Sequence, residues 1–313
     1  MTEDYRKIQR EVFSSEFVKY CRKNIVKDLM PLEKQRTYYI LGAVLIWVLA
    51  IVILLGAVYY SAVSNSTVDK EIYALVIAGA VGISYLIVKT YKDKAKKIVL
   101  PKLISYIGKF EIVEDTDKKV NFRDYLEALN LISDFNRYYY DDYLIGTYKD
   151  VKLDIIEVDL KKESGSGKRR SCTTIFKGLF IKFKSFKKFE GCTVIKRESL
   201  KIGRSKEQVV LEDPVFEKHF DVKSTDQIEA RYLITPAFMN RLLELNKRSI
   251  GQNLTMSFEH GFVNIAVSSS KDWFEVPILK PVTEISNYRA IVVDLLSILS
   301  IIDVLKMDQN IGM

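Results

Sequence analysis

Residues 165–168 of this chain have a composition that could support chemistry on a phosphate group. They read Gly-Ser-Gly-Lys, which matches part of a phosphate-binding loop. The full motif also needs a glycine where Lys162 stands and a Ser or Thr where Arg169 stands, and it must open a helix. An alternating, strand-like segment follows instead. The sequence therefore predicts a hairpin tip at 163–170 rather than a nucleotide site.

Cysteines and histidines are too scarce for most metal or nucleophilic sites. The chain has three Cys and two His, and no Cys-x-x-Cys spacing occurs, so a disulfide scaffold and a zinc site are both disfavoured. Cys172 or Cys192 could act as a nucleophile only with a base such as His219. Both cysteines fall in or beside predicted strands, where they are expected to be small core residues. We therefore expect no catalytic residue, no cofactor and no metal site.

A cluster of carboxylates lies between residues 212 and 229. Such a cluster could hold a divalent cation, but its spacing is irregular, and Lys218, Lys223 and Arg231 lie among or beside the acidic residues. The pattern favours solvated ion pairs, with Arg231 pairing with Asp226 or Glu229. The carboxylates are Glu212, Asp213, Glu217, Asp221, Asp226 and Glu229.

Basic charge is concentrated in one part of the chain. There are 48 Lys and Arg and 40 Asp and Glu, a net charge of +8, but residues 161–206 alone hold fifteen basic and three acidic residues. Attraction to the anionic inner leaflet would contribute about 1 kcal/mol per basic residue near the surface. An acidic protein partner and an ordinary solvated face are the alternatives, and nucleic acid fits less well because no recognition motif is present. The residues expected to make the contact are Lys168, Arg169, Arg170, Lys182, Lys184, Lys187 and Lys188.

Two apolar runs predict membrane spans. No charged residue lies between Arg36 and Asp69, and residues 38–60 are almost wholly apolar. A helix of this run would be about 34 Å long, enough for a hydrocarbon core about 30 Å thick. The run is too long, and too far from the N-terminus, for a cleaved signal peptide. A second run covers 72–88; its alternative is a buried soluble helix.

The positions of Lys and Arg predict how the spans are oriented. Residues 1–37 carry nine of them, the linker 61–71 carries one, and residues 89–97 carry five. Both termini are therefore expected in the cytoplasm, in a multi-pass protein of the inner membrane. Small residues recur along both spans, which would allow close packing as an intramolecular hairpin or, alternatively, as a homo-oligomer. These residues are Ala43, Ala50, Ala57, Ala74, Ala78 and Gly82.

Three domains follow from these patterns. Residues 1–37 are expected to form a cytosolic amphipathic helix that ends at Pro31. Residues 38–97 are expected to form the transmembrane hairpin with its basic juxtamembrane stretch. Residues 98–313 are expected to form a cytosolic α+β domain, because strands precede helices without a repeating βα pattern.

The expected elements of the cytosolic domain are an antiparallel sheet and a C-terminal core helix. A helix is expected over 122–139, and Thr235-Pro236 has the cap and first-turn residues of another. A third membrane span is the alternative for the last helix, 284–306, but Asp294 and Asp303 would make insertion expensive. Alternation with a period of two predicts strands at 144–148, 151–160, 173–186, 192–197, 208–212, 228–234, 253–258, 262–267 and 272–276.

Residues 211–245 resemble the bacterial DUF3137 family. The resemblance is carried by Leu-Glu-Asp-Pro at 211–214, Phe-Glu-x-x-Phe at 216–220, Glu-Ala-Arg-Tyr at 229–232 and Thr-Pro-x-Phe at 235–238. Weaker matches are Phe-Lys-Gly at 176–178, Phe-Glu-Gly at 189–191 and Phe274-Glu275, so that the likeness spans roughly 40–310. It implies a membrane protein of unknown function with a cytosolic domain, and it assigns no catalytic residue.

These patterns lead us to expect an inner-membrane-anchored protein with a cytosolic binding or scaffold domain. The alternative is a membrane-associated enzyme whose site lies in the cytosolic domain. A deep pocket with converging polar groups and shifted pKa values would favour the enzyme, and a flat surface would favour binding.

Overall fold

The computed structural model describes residues 10, 14–64, 68–129, 131–132, 134–197, 207–247 and 254–305, except the side chain of Lys168. The chain divides into two compact units. The helical unit comprises Glu11–Leu103 and Phe274–Ile291, and the sheet unit comprises Met1–Arg10, Ile104–Trp273 and Val292–Met313.

The helical unit begins with a helix that runs through the proline expected to stop it. Helix α1 (Ser15–Cys21) leads through a π-helical turn (Arg22–Val26) into α2 (Lys27–Ser64), and Pro31 lies inside α2. The predicted end at Pro31 is wrong. A proline inside a helix costs about 3 kcal/mol, but Leu29 and Leu32 on either side of it are buried, and such packing can sustain the helix.

Helix α3 (Lys70–Ile107) is the second long helix, and it continues through Pro101. It packs against α2 where small residues allow a close approach: a Cβ atom on Gly42 would lie 3.8 Å from Cδ1 of Ile87. Ala50 of α2 and Ala80 of α3 are buried. At the other end of the unit, the Tyr20 hydroxyl donates to the Lys102 carbonyl at 2.8 Å.

The described residues of the sheet unit form a nine-stranded antiparallel sheet in the order β1-β2-β3-β4-β9-β8-β5-β7-β6. The unit is therefore α+β, as predicted. The strands are β1 (Lys109–Ile112), β2 (Arg137–Tyr148), β3 (Val151–Ser164), β4 (Ser171–Lys184), β5 (Thr193–Arg197), β6 (Glu207–Gln208), β7 (Phe220–Ser224), β8 (Leu254–Glu259) and β9 (Phe262–Ser268).

Each face of the sheet is covered by helix. Helix α4 (Thr116–Ala128) packs on one face, where the Phe122 ring lies 5.6 Å from Phe180 and 5.3 Å from Tyr143. Helix α7 (Pro236–Asn246) packs on the other, with Phe238 5.9 Å from Phe258. The helix expected at 122–139 is thus misplaced, because Asp115 caps α4 further upstream and residues from Arg137 onward pair with β3.

Residues 228–234 form a helix, and the strand predicted there is wrong. After the short helix α5 (Pro214–Glu217), helix α6 spans Gln227–Leu233, and the Asp226 carboxylate caps it by accepting from the amides of Ile228 and Glu229. A side-chain cap of this kind offsets the unpaired N–H groups of a helix start. Residues 272–276 are also not a strand: they form a turn in which Phe274 has a φ of 57°.

The C-terminal helix α8 (Ile285–Leu305) is buried, as predicted. Both of its aspartates within the apolar stretch have cationic partners: Lys271 pairs with Asp294, and Lys149 pairs with Asp303 at 2.8 Å. The Tyr148 hydroxyl also donates to Asp303, at 3.0 Å. These contacts allow a helix with internal carboxylates to lie in a protein core.

Candidate functional site

The seven basic residues singled out in the sequence do not share one surface. Lys182, Lys184, Lys187 and Lys188 lie at the end of β4 and just after it, whereas Arg169 and Arg170 lie at the hairpin tip that precedes β4. A strand of this length separates the two groups by about 40 Å. The tip at 163–170 is a hairpin, as predicted, and it does not open a helix of the kind a phosphate-binding loop requires.

Several of these cations are already bound within the protein. Lys187 donates to the Tyr232 carbonyl at 2.7 Å, and its Nζ lies 4.4 Å from the Tyr232 ring centroid; burial lowers the pKa of its amine. Arg170 pairs with Glu163. Arg169, Lys184 and Lys188 have exposed side chains, so they are the ones best placed to meet a lipid or a partner.

Lys182 belongs to a row of polar side chains across the middle of the sheet, which we call the polar row. The register pairs Asp154 of β3 with Lys182 of β4. Lys182 in turn pairs with Asn264 of β9, and Asn264 pairs with Ser257 of β8. Asn264 is fully buried and donates to the Ser257 hydroxyl at 3.3 Å. Tyr125, on the covering helix α4, donates to Oδ1 of Asn264 at 2.7 Å.

Aromatic rings enclose the ammonium group of Lys182. Its Nζ lies 3.6 Å from the centroid of Tyr125 and 4.3 Å from that of Phe262. Burial lowers the pKa of Lys182, and the nearby Asp154 charge acts in the opposite direction. Burial also raises the pKa of Asp154, against the effect of Lys182. The polar row thus holds an acid and a base whose burial disfavours both charges.

Sequence reasoning missed the polar row because its members come from four strands. A local signal was present: Asn264 is the one polar residue between Phe262 and Val267, and Asp154 interrupts the apolar positions of β3. Only the register of the sheet, which local periodicity does not specify, shows that these residues are neighbours.

A second group that the sequence did not suggest contains Asp141, Asp142 and Glu157. The register between β2 and β3 shifts between Tyr140 and Tyr143, and this bulge brings carboxylate oxygens of the three residues within 4.8 Å of one another. Oxygen ligands of this kind suit a divalent cation. The Trp273 amide already donates to both oxygens of Glu157 at 3.3 Å.

Three of the acidic residues at 212–229 have structural roles. Asp213 caps α5 by accepting from Val215 at 2.8 Å, and Asp226 caps α6. The Glu229 carboxylate accepts from the amides of Glu190 and Gly191, at 2.7 and 2.9 Å. Arg231 donates to backbone carbonyls of Gln227 and Val210. In the described residues these contacts replace the ion pairs expected for Arg231.

The cysteines divide between core and surface. Cys21 and Cys192 are buried, whereas Cys172 is exposed. The core position expected for Cys192 is therefore confirmed, and the one expected for Cys172 is wrong. Cys172 lies in the part of the β3–β4 hairpin that extends past the helix-covered core. Burial raises the pKa of the Cys21 thiol to about 12, so the thiol stays protonated at neutral pH and is a poor nucleophile.

A cavity of about 290 Å³ lies where α4 passes the beginning of β2. Its walls carry two arginines and three consecutive tyrosines and no carboxylate. The lining residues are Val120, Arg123, Asn136, Arg137, Tyr138, Tyr139 and Tyr140.

The helical unit contains a cavity of its own, of about 390 Å³. Three lysines and one aspartate line it, together with Tyr20 and Asn24. Lys102 pairs there with Asp28, so part of this basic charge is neutralised. The charged lining residues are Lys23, Lys27, Asp28 and Lys102.

Tyrosines and lysines lie together at one end of the two apolar helices. Lys94 donates to the Tyr39 hydroxyl at 2.8 Å, and the Tyr39 ring lies 5.5 Å from that of Tyr91. Lys89 lies 6.0 Å from the Tyr85 centroid. Helices α2 and α3 are both long and apolar enough to cross a membrane.

Comparison with known proteins finds a family model that matches part of the chain. No curated protein matches the sequence. The crystal structure of the mycobacterial trehalose monomycolate transport factor A, TtfA, is similar over 64% of this chain and 90% of that chain, at 12% sequence identity and a TM-score of 0.32, a likeness too low to support an argument. The family model of DUF3137, a protein of unknown function, matches residues 174–307. The resemblance seen in the sequence is therefore confirmed over residues 174–307, which are less than half of the chain.

Proposed function

We propose that this chain is a membrane-anchored protein in which α2 and α3 form a transmembrane hairpin and the sheet unit is a cytosolic binding domain. The observation that carries the proposal is the exposure of the apolar side chains on both helices. Leu55 of α2 is 64% exposed and Leu75 of α3 is 73% exposed. In water, rows of exposed apolar side chains along two helices would drive association with other molecules. In a membrane, the same side chains would contact the hydrocarbon chains of the lipid.

The two ends of the hairpin support an orientation with both termini in the cytoplasm. Lys89 and Lys94 lie beside tyrosine rings at the end that leads to the sheet unit. Tyr59 and Tyr60 are exposed near the opposite end, where basic residues are few. Amphipathic rings favour both interfaces, and excess Lys and Arg favour the cytoplasmic one.

Retention after an alkaline carbonate wash tests the anchor. The protein should remain in the membrane pellet, because carbonate removes peripheral proteins and leaves spanning helices in place. A triple variant, Leu45→Asp, Leu49→Asp and Leu75→Asp, should be released. Release of the unaltered protein would contradict the proposal.

Anionic lipid is the partner proposed for the exposed basic residues near the end of β4. Lys184 and Lys188 are exposed and lie within a few residues of each other. Acetylation of these two amines should be slower in discs that contain phosphatidylserine than in phosphatidylcholine discs, and the difference should shrink at high salt. Equal rates in both lipids would contradict lipid contact.

The polar row favours an enzyme as the second candidate. It pairs a carboxyl of raised pKa with an amine of lowered pKa, and opposed shifts of this kind are typical of acid–base sites. The test is the reactivity of Lys182 toward an amine reagent across pH. An amine that reacts well below the pH at which Lys184 reacts would support the enzyme, and an unreactive Lys182 would leave the polar row as a structural network.

A further inference from the structure

The first part of β2 has a strand neighbour on only one side. Residues 137–140 pair with β3, whereas β1 pairs only with residues 144–147, and the Val113 amide adds one bond to Tyr143. Among the described residues, no strand pairs with the outer edge of Arg137–Tyr140. Alternate residues of such an edge direct their N–H and C=O groups outward, where an added strand could bond to them.

Helix α4 makes this edge one side of a groove. The 290 Å³ cavity lies between the α4 residues Val120 and Arg123 and the β2 residues 137–140. Tyr139 is 55% exposed and Tyr140 is 41% exposed. An open strand edge beside a helix, with a cavity between them, is the geometry in which proteins bind extended peptides by strand addition.

The charge of the groove selects for an acidic occupant. Arg123 and Arg137 line the cavity, and none of its lining residues is acidic. Lys119 adds a third cation, with its Nζ 4.8 Å from the Tyr140 ring. Arg123 pairs with Glu127 and Arg137 with Glu163, but a guanidinium has five N–H donors, so each retains donors for a second carboxylate.

We propose that this groove binds an extended acidic segment of a partner protein as an additional strand beside residues 137–140. Main-chain hydrogen bonds from the β2 edge hold the segment, and its carboxylates meet Arg123 and Arg137. The inference rests on the proposed function of the sheet unit as a binding domain, and it names the surface and the class of partner.

The test uses the full chain in discs of phosphatidylcholine. The probe is a seven-residue peptide in which Glu alternates with Val and Thr, and its counterpart has Lys at the Glu positions. The acidic peptide should bind and protect the amides of residues 137–140 from hydrogen exchange, and the lysine peptide should bind more weakly. The double variant Arg123→Gln and Arg137→Gln should weaken binding of the acidic peptide about tenfold.

The matched control is the double variant Lys152→Gln and Lys247→Gln, which removes the same charge from two other exposed positions and should leave the affinity unchanged. No binding at about 1 mM peptide, protection outside 137–140, or equal loss in both double variants would overturn the inference. Protection of 137–140 that appears without peptide as protein concentration rises would also overturn it, in favour of pairing between two copies. Failure of the chain to enter discs would contradict the membrane anchor instead, so the two failures are distinguishable.

Discussion

Three long helices of this protein are strongly apolar, and they use their leucines in opposite ways. On α3, Leu75 is 73% exposed, and on α2, Leu55 is 64% exposed; on α8, Leu295 is 1% exposed. The apolar stretches of α2 and α3 contain no charged residue, whereas α8 carries Asp294 and Asp303, each with a lysine partner. In this chain, internal carboxylates rather than average hydrophobicity distinguish the buried helix α8 from the two candidate membrane spans.

The largest effect is expected from a charge placed in the buried helix. Leu295→Asp would put an unpaired carboxylate among fully buried side chains and should cost about 4 kcal/mol or more of folding free energy. Thermal melting of the full chain in detergent, followed by near-UV circular dichroism, measures this. Leu75→Asp is the control and should leave the melting temperature of the sheet unit unchanged. Equal melting temperatures in the two variants would contradict the claim that Leu295 is buried in the core whereas Leu75 is exposed.

Loss of the lysine that faces Asp303 should be the next largest effect. Lys149→Met leaves the Asp303 carboxylate, which is 1% exposed, without its cation, and breaking a buried pair in this way costs about 3 kcal/mol. Denaturant unfolding gives the value. Lys152→Met, an exposed lysine of the same hairpin, is the control and should cost little. A loss of similar size in both variants would show that Asp303 does not depend on Lys149.

An aspartate that replaces a leucine of α3 should weaken membrane insertion, whereas an aspartate that replaces an exposed leucine outside α2 and α3 should not. Leu75→Asp lies near one end of the apolar run, so it should make insertion less favourable by less than the roughly 3 kcal/mol expected at the centre of a span. A carbonate wash registers this as a smaller retained fraction. Leu279 is 79% exposed and lies outside both helices, so Leu279→Asp should not alter retention. Retention that falls equally in both variants would argue against a span at Leu75.

The smallest effect concerns Asp294, whose pKa is raised by burial against the influence of Lys271. A raised carboxyl pKa means that the folded state binds the proton more tightly, so ionised Asp294 lowers stability at neutral pH and the loss is relieved as pH falls through the folded pKa. Asp294→Asn should therefore raise stability at pH 7, and the gain should disappear as pH falls to the ordinary carboxyl range. A gain that persists at low pH would exclude ionisation as its cause.

Uncharged apolar runs predicted the long helices α2 and α3, and a broad apolar face predicted α8. The helix end predicted at Pro31, inside α2, was wrong. Thr235-Pro236 predicted the start of α7, since the Thr235 hydroxyl accepts from the Phe238 amide. The strand predicted at residues 228–234 was wrong for a local reason. These residues form a seven-residue helix that exposes Ile228 and Tyr232 and buries Ala230 and Leu233. The Asp226 cap favours this helix over the strand that their alternating pattern predicted.

The candidate sites were much less predictable than the helices. The basic residues were visible as a run in the sequence, but the length of β4 divides them between its two ends. The polar row depends on the register of four strands, and the groove depends on where β1 stops pairing along β2. Register and strand length are set by long-range contacts, which a single sequence does not display.

Labelling of cysteines with a membrane-impermeant maleimide in intact cells tests most directly whether the chain is anchored in the membrane with its sheet unit in the cytoplasm. The native protein offers one exposed thiol among its described residues, Cys172 in the sheet unit, since Cys21 and Cys192 are buried. We expect no labelling of Cys172 until the cells are permeabilised. In a Cys172→Ser background, we expect Asp69→Cys, between the proposed spans, to be labelled in intact cells. Labelling of Cys172 in intact cells, or of Asp69→Cys only after permeabilisation, would contradict this topology.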